Sequence, residues 1–330
     1  MRKDTMSFAV GHPLPPVWML VAAFAAVYII WGSTFLAILF GLETIPPFLM
    51  AGTRFLVAGG LLFGWAQLNG AGWPTLAQWR SAAVLGAAML LIGNGAVVWS
   101  EQRIPTGITA LLITTEPLWI VLLEWVMEKQ RPTALTWGGL VLGTVGTIVL
   151  IGPGVFQGMS DVDLLGAAAV TIGALSWAAG SLYSARAEMP ASPTLSTGIQ
   201  MLAGGVFLSI FSLMMGEWTH FEVAKVSLKS VLALGYLAVF GSIIAYTAYV
   251  WLTRVAPPSR VATYAYVNPI IAVLLGWAVL NEHISFRTMC AAAMMITAVV
   301  LITLGKRTVA KQKIIEETTV DEKSLPEAAV

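Results

Sequence analysis

Two charged side chains lie inside long apolar runs of the sequence, where their chemistry would favour binding or proton transfer. These are Arg54 and Glu116. A buried guanidinium can bind a carboxylate through two parallel hydrogen bonds, and a buried carboxylate can carry a proton. If the two side chains were neighbours, they would instead form a structural ion pair. Arg54 could also lie close to an interface with its stem along apolar surface, so this alternative stays open.

Two prolines occupy corresponding places in the two halves of the chain, each directly after a polar residue. Pro117 follows Glu116, and Pro269 follows Asn268. A proline inside a helix removes one backbone hydrogen bond and kinks the helix. Matching broken helices in two halves indicate the binding site of a transporter. The alternative is that the kinks only shape the bundle.

Four aromatic side chains fall away from the ends of the apolar runs, so lining a cavity competes there with ordinary packing. They are Trp31, Trp177, Tyr264 and Tyr266. Their rings would suit flat apolar or cationic organic solutes. Many of the aromatic residues are expected to belong to interfacial belts, and Tyr246 and Tyr249 are not singled out from these.

The third apolar run carries polar residues in its middle and at its end. Asn94 lies between two glycines deep in the run and is predicted to hydrogen-bond a neighbouring helix, with a binding role as the alternative. Glu101 and Arg103 follow the run, and a gate formed by this pair is the weaker interpretation.

Known catalytic and nucleotide-binding patterns are missing from the sequence. It contains no HExxH and no P-loop, and its three histidines lie at span ends or in loops. The single cysteine, Cys290, excludes a disulfide framework and a cysteine-based metal site. We therefore expect a protein that is not an enzyme, with no cofactor and no metal.

The composition predicts an all-α integral membrane protein. Hydrophobic residues make up 58% of the 330 residues and charged residues 11%, with a net charge of +1 that offers nothing to nucleic acid. A bilayer core requires about 20 apolar residues per helix. This criterion gives ten transmembrane helices, at 17–40, 46–68, 79–99, 105–127, 134–152, 164–184, 194–215, 229–252, 257–280 and 286–305.

The distribution of Lys and Arg predicts that both termini are cytoplasmic. Of the 18 Lys and Arg residues, Arg54 lies within a span, and the opposite side receives Arg103, Lys225, Lys229 and Arg287. The other 13 Lys and Arg residues then lie on the cytoplasmic side, as the positive-inside rule requires. The predicted organisation is a cytoplasmic N-terminus (1–16), two five-helix units (17–152 and 164–305) and a cytoplasmic polar tail (306–330).

The two units resemble each other internally. Pro105 and Pro117 correspond to Pro257 and Pro269 at the same spacing of 152 residues. Five spans per unit is an odd number, so the second unit must enter the membrane from the opposite side. Inverted repeats of this kind are characteristic of secondary transporters.

Several motifs resemble those of EamA-type transporters of the drug/metabolite transporter superfamily, particularly its YedA-like members. The segments are Trp31 to Ile38, Pro46 to Phe55, Trp99 to Gln102 and Tyr264 to Pro269, with Glu282. Ser100 replaces the usual alanine of the third segment. The resemblance covers residues 17–305 and implies ten helices in two inverted repeats, a central cavity and export of small organic solutes.

The prediction is a secondary transporter in the cell inner membrane that moves metabolites, amino-acid-like compounds or drugs by alternating access. Export is the favoured direction, protons are the candidate coupling ion, and the chain would be a monomer or a homodimer. The alternatives are an uncoupled facilitator or importer and, in another class, a membrane scaffold or sensor. Substrate-binding or gating roles are assigned to Arg54, Glu116, Pro117, Asn268, Pro269, Trp31, Trp177, Tyr264, Tyr266 and Asn94.

Overall fold

The computed structural model describes residues 16–128, 132–151, 163–256, 261, 264–302 and 304–305. Within these ranges, the regular secondary structure is helical throughout. Seven helices are long and apolar enough to cross a membrane, and three further apolar helices are shorter. The all-helical prediction is confirmed at this level.

The helices follow the predicted apolar runs closely, and we label the main ones in chain order. They are α1 (Val17–Leu42), α2 (Pro47–Leu68), α3 (Leu76–Ser100), α4a (Thr106–Ile113), α4b (Glu116–Glu128), α5 (Ala134–Ile151), α6 (Leu164–Ser184), α7 (Pro193–Met214), α8 (Leu228–Tyr236, Leu237–Tyr246 and Thr247–Val255), α9 (Tyr264–Leu280) and α10 (Phe286–Ile302).

Local sequence signals explain where several of these helices begin. The Thr75 side chain and Gln78 form a reciprocal capping box at the start of α3. Asp163 accepts from the backbone N–H of Gly166 in the first turn of α6, and Ser192 accepts from that of Leu195 in the first turn of α7. Proline occupies the first position of α7, where its missing N–H costs no hydrogen bond.

The contact between α2 and α7 is the most extensive one between the two units, and glycine makes it possible. A side-chain carbon at Gly59 would lie 2.8 Å from the backbone nitrogen of Leu202, and one at Gly198 would lie 2.9 Å from that of Phe63. Small residues allow backbones to approach in this way when no water is present to drive association. Gly60 and Gly64, one turn apart on α2, face open space instead.

Three helices widen into π-helical turns in their middle parts, a feature that the sequence does not signal. The π segments are Ala26–Ile30 in α1, Gly86–Asn94 in α3 and Leu237–Tyr246 in α8. Such segments are frequent at functional sites because they rotate the side chains that follow. Here Asn94, Tyr246 and, directly after the first segment, Trp31 all line the cavity described next.

Candidate functional site

A cavity lies between the middle parts of helices from both units. It contains about 760 Å³ of atom-free space, including the part open to solvent, and water-molecule centres fit in about 100 Å³ of it. Its walls include Ile113 and Glu116 on the α4 side and Tyr264 and Asn268 on α9. The bundle is therefore not packed solid between these helices. A purely structural scaffold would not need such a cavity.

Arg54 of α2 reaches into this cavity rather than towards a membrane surface. Arg54 is only 5% exposed, so the alternative in which it lies close to an interface with its stem along apolar surface is wrong. Its Nε donates to the Ser242 hydroxyl at 2.7 Å, and the guanidinium lies 4.8 Å from the centre of the Phe55 ring. Gly241 leaves room for the guanidinium, because a side-chain carbon there would lie 2.9 Å from Nη2.

Glu116 lines the same cavity but does not pair with Arg54. Its carboxylate accepts a hydrogen bond of 2.6 Å from the Tyr264 hydroxyl of α9. Among the residues that the structure describes, no ion pair joins Glu116 to Arg54. The alternative of a structural ion pair is therefore not met, and the cavity presents a guanidinium and a carboxylate at separate places.

Five aromatic rings form a cluster beside the cavity, and four of them, Trp31, Trp177, Tyr246 and Tyr264, line it. Trp31 lies 6.1 Å from Trp177 and 5.4 Å from Tyr264, both edge to face, and 5.1 Å from Tyr249. Tyr246 completes the cluster at 6.2 Å from Trp31. The grouping of Trp31, Trp177 and Tyr264 agrees with the sequence prediction. Tyr246 and Tyr249 were not among the predicted cavity residues, yet both are buried in this cluster and are not belt residues.

Two amides add polar atoms to the wall. The Oδ1 atoms of Asn94 and Asn268 are buried, and neither has a hydrogen-bond partner within the described ranges. The prediction that Asn94 bonds a neighbouring helix is not met for this oxygen. Buried polar groups are normally paired, so two unpaired acceptors beside a cavity indicate atoms that a ligand can satisfy.

The two mid-span prolines have different effects on their helices. Thr114 and Thr115 interrupt the fourth span just before Pro117, and their hydroxyls bond back to the carbonyls of Leu111 and Leu112. In contrast, α9 runs without a break through Pro269. The expected pair of broken helices is therefore present only in the first unit. Tyr266 belongs to α9, but its side chain lies outside the described residues.

One end of the bundle carries Glu43, Glu101, Glu217 and Glu282, and we call it the acidic end. Two of these carboxylates, Glu217 and Glu282, accept hydrogen bonds from the other unit. Glu217, after α7, accepts from the backbone nitrogens of Phe48 (3.1 Å) and Leu49 (2.8 Å) at the start of α2. Ser212, in the same unit as Glu217, also donates to it at 2.7 Å. The start of α2 thus depends on a cap supplied by the second unit.

The predicted gate between Glu101 and Arg103 does not form at this end. Arg103 instead lies 3.4 Å from Asp163 and 4.3 Å from the centre of the Trp99 ring. Its side chain therefore neutralises the first residue before α6 rather than Glu101.

Metal binding has no support in the described part of the chain, where no group of three or more His, Cys, Asp or Glu side chains could hold an ion. What the cavity offers is a guanidinium, a carboxylate, two amide oxygens and an aromatic wall. These groups suit a small organic solute with both apolar and charged parts.

Apolar helices from two units that enclose such a cavity define an integral membrane protein of the solute-transporter class. The chain belongs to the EamA-like transporter family, whose sequence model matches residues 17–152 and 164–304. It is a multi-pass inner membrane protein, as its relatives indicate.

The chain is similar to proteins from several organisms, two of which are named as transporters. It is 42% identical over 289 residues to "Uncharacterized inner membrane transporter YedA" of Escherichia coli (strain K12), covering 87% of this chain and 91% of that protein. It is 25% identical over 277 residues to "Protein PecM" of Dickeya dadantii, covering 83% and 88%. An "Uncharacterized transporter" of Archaeoglobus fulgidus is 24% identical over 280 residues, with 84% and 95% covered.

A crystal structure of a protein has a similar fold. Its TM-score is 0.62 at 19% sequence identity, and the match covers 87% of this chain and 98% of that one. At this identity, the similarity bears on the fold alone.

Proposed function

We propose that the chain is a secondary transporter that exports small amphipathic organic solutes, with amino-acid-like compounds as the best fit. The observation that carries this proposal is the separation of Arg54 from Glu116 across one cavity. A solute with a carboxylate and an ammonium group would satisfy both charges, and the five-ring cluster would take its apolar part.

The proposed architecture is ten membrane-spanning helices in two inverted five-helix repeats, one at 17–152 and the other at 164–305, with both termini in the cytoplasm. The match of two separate segments to one family supports the repeat. The excess of Lys and Arg on one side supports the orientation. In this orientation, the acidic end faces away from the cytoplasm, and alternating access requires its carboxylate caps to open.

Three related compounds test which charges bind. Phenylalanine carries both groups, phenylpropionate lacks the ammonium, and phenethylamine lacks the carboxylate. We expect purified protein to bind phenylalanine most tightly. Arg54→Ala should selectively weaken binding of the two compounds that carry a carboxylate, phenylalanine and phenylpropionate. Glu116→Gln should selectively weaken binding of the two that carry an ammonium group, phenylalanine and phenethylamine. Equal weakening of all three by both variants would contradict the proposed polarity of the cavity.

Glu116 is also the proposed carrier of a coupling proton, and a pH gradient separates this from facilitated diffusion. In proteoliposomes, a gradient should drive uptake by the wild type but not by Glu116→Gln, while exchange without a gradient continues. Gradient-driven uptake by Glu116→Gln would refute the coupling role. A wild type that equilibrates the solute and ignores the gradient would be an uncoupled facilitator.

A further inference from the structure

Two carboxylates of opposite hydrogen-bonding character come together at the acidic end. Glu282 is fully engaged: it accepts from the backbone nitrogen of Thr106 (3.0 Å), the Thr106 hydroxyl (2.8 Å) and the backbone nitrogen of Gly107 (3.4 Å). Asn281, in the left-handed region at φ 55°, turns the chain after α9 so that Glu282 faces these donors.

These bonds make Glu282 the cap of α4a. The residue before that helix is Pro105, whose side chain forms no cap hydrogen bond. Free amides at a helix start are well matched by a carboxylate, and Glu282 supplies the oxygens that accept from them. The second unit therefore holds the start of α4a as well as that of α2.

Glu101, in contrast, is buried without a partner. The residue is 3% exposed, and neither Oε1 nor Oε2 has a hydrogen-bond partner among the described residues. Burial raises the pKa of the Glu101 carboxyl well above its usual range, and the negative charge of Glu282 raises it further.

The other ionisable side chains of this region do not compensate Glu101. Arg103, two residues further on, is directed at Asp163 and the Trp99 ring. Asp163 caps α6 and carries the same sign of charge as Glu101. His283, beside Glu282, and Arg287, in the first turn of α10, donate no hydrogen bond to Glu101. A charged Glu101 would therefore be an uncompensated buried anion next to a second one, which is strongly unfavourable.

We propose that Glu101 is a proton-binding site that controls closure of the acidic end. In the closed conformation, Glu101 is the neutral acid. When its proton passes to water at this end, the resulting carboxylate repels Glu282, the cap of α4a breaks, and both carboxylates become hydrated. The site takes a proton as its ligand and is independent of the identity of the transported solute.

The direction of the pH effect follows from linkage. The closed state holds a proton that the open, hydrated state releases, so acid favours closure and rising pH favours opening. At pH values above the ordinary pKa of a glutamic acid, release of one proton on opening raises the equilibrium constant for opening about tenfold per pH unit. The dependence ends once Glu101 ionises in the closed state as well.

Hydrogen–deuterium exchange of purified full-length protein tests this proposal without any solute. The informative amides are those of Thr106 and Gly107, which donate to Glu282. Their exchange rates are measured at several pH values and divided by the intrinsic exchange rates, which gives the opening equilibrium constant. In the wild type, this constant should rise about tenfold per pH unit. Glu101→Gln and Glu101→Met, both neutral, should show no such rise. Glu43→Gln is the control, since the half-exposed Glu43 pairs with Lys229 at the same end.

Several results would overturn the proposal. One is a wild type whose corrected opening is independent of pH, and another is an equal pH dependence in Glu101→Gln. Failure of both neutral variants to fold would also contradict it, because a neutral side chain is what the proposal assigns to the closed state. A loss of the pH dependence in Glu43→Gln would move the site elsewhere.

Discussion

Replacing Gly241 by alanine should weaken carboxylate binding without touching a charged residue. The added carbon would lie 2.9 Å from Nη2 of Arg54 and 3.1 Å from Cγ2 of Thr34. Ordinary contacts are about 0.5 Å longer, so the guanidinium must move by at least about this distance. The Arg54 end is flexible, so the helix can still form, but the 2.7 Å bond to Ser242 and the direction of the remaining donors change.

The size of this effect follows from the hydrogen bonds at risk. A hydrogen bond to a charged group contributes about 1.5–3 kcal/mol. Loss of one such bond to a solute carboxylate corresponds to about a 10- to 150-fold loss of affinity. We expect Gly241→Ala to bind phenylalanine and phenylpropionate more weakly by this factor, with phenethylamine nearly unchanged, in equilibrium binding to purified protein.

Gly235→Ala in the same helix is the matched control. It makes the same chemical change where nothing lies within 4 Å of the added carbon. Both substitutions favour the helix by about 1 kcal/mol, so a difference between them reports on the cavity. Equal affinities of the two variants for phenylalanine would refute the assignment of Arg54 as the carboxylate-binding group.

Three further substitutions test contacts outside the Arg54 site. Tyr264→Phe removes the only described hydrogen-bond donor to the Glu116 carboxylate. The free energy of unfolding, measured by thermal unfolding, should fall by about 1–3 kcal/mol. An unchanged or raised midpoint would contradict the contact. Glu217→Ala should lower the free energy of unfolding by about 1–2 kcal/mol, because the start of α2 loses its cap. Glu222→Ala breaks only the exposed ion pair with Lys225 and should leave the stability unchanged. Equal effects of the two variants would contradict the cap. Gly198→Val should abolish the monodisperse folded fraction in size-exclusion chromatography, and Gly64→Val should not, since only the first meets another backbone; a folded Gly198→Val protein would argue against the close contact.

Much of the helical layout was predictable because apolar runs and turn residues determine it directly. The start of α2 at Pro47 and the interruption before Pro117 agree with the sequence-based prediction. The presence of Arg54, Glu116 and Asn268 at one cavity was predictable too, because polar side chains in apolar spans must face the protein interior.

The partners of these side chains were not predictable. A membrane helix that is apolar all round carries little periodic signal for which face is buried, so Tyr246 and Tyr249 could not be separated from belt residues. The π segments of α1, α3 and α8 also rotate the residues that follow them, and no residue type marks them.

The cavity geometry decided between alternatives that the sequence left open. Arg54 and Glu116 could equally have formed an ion pair, but Ser242 and Tyr264 are their partners in the structure. Glu101 and Glu282 lie far apart in the chain, so their proximity depended on the packing of α4a, which follows Glu101, against α9, which precedes Glu282.

Efflux of radiolabelled phenylalanine from proteoliposomes tests the central claim most directly. Wild-type protein should release the trapped amino acid faster than empty liposomes do, and Arg54→Ala, present in equal amount and correctly folded, should reduce the rate to that of the empty liposomes. Release by the wild type no faster than by empty liposomes, or equal release by Arg54→Ala, would contradict a solute pathway through this cavity.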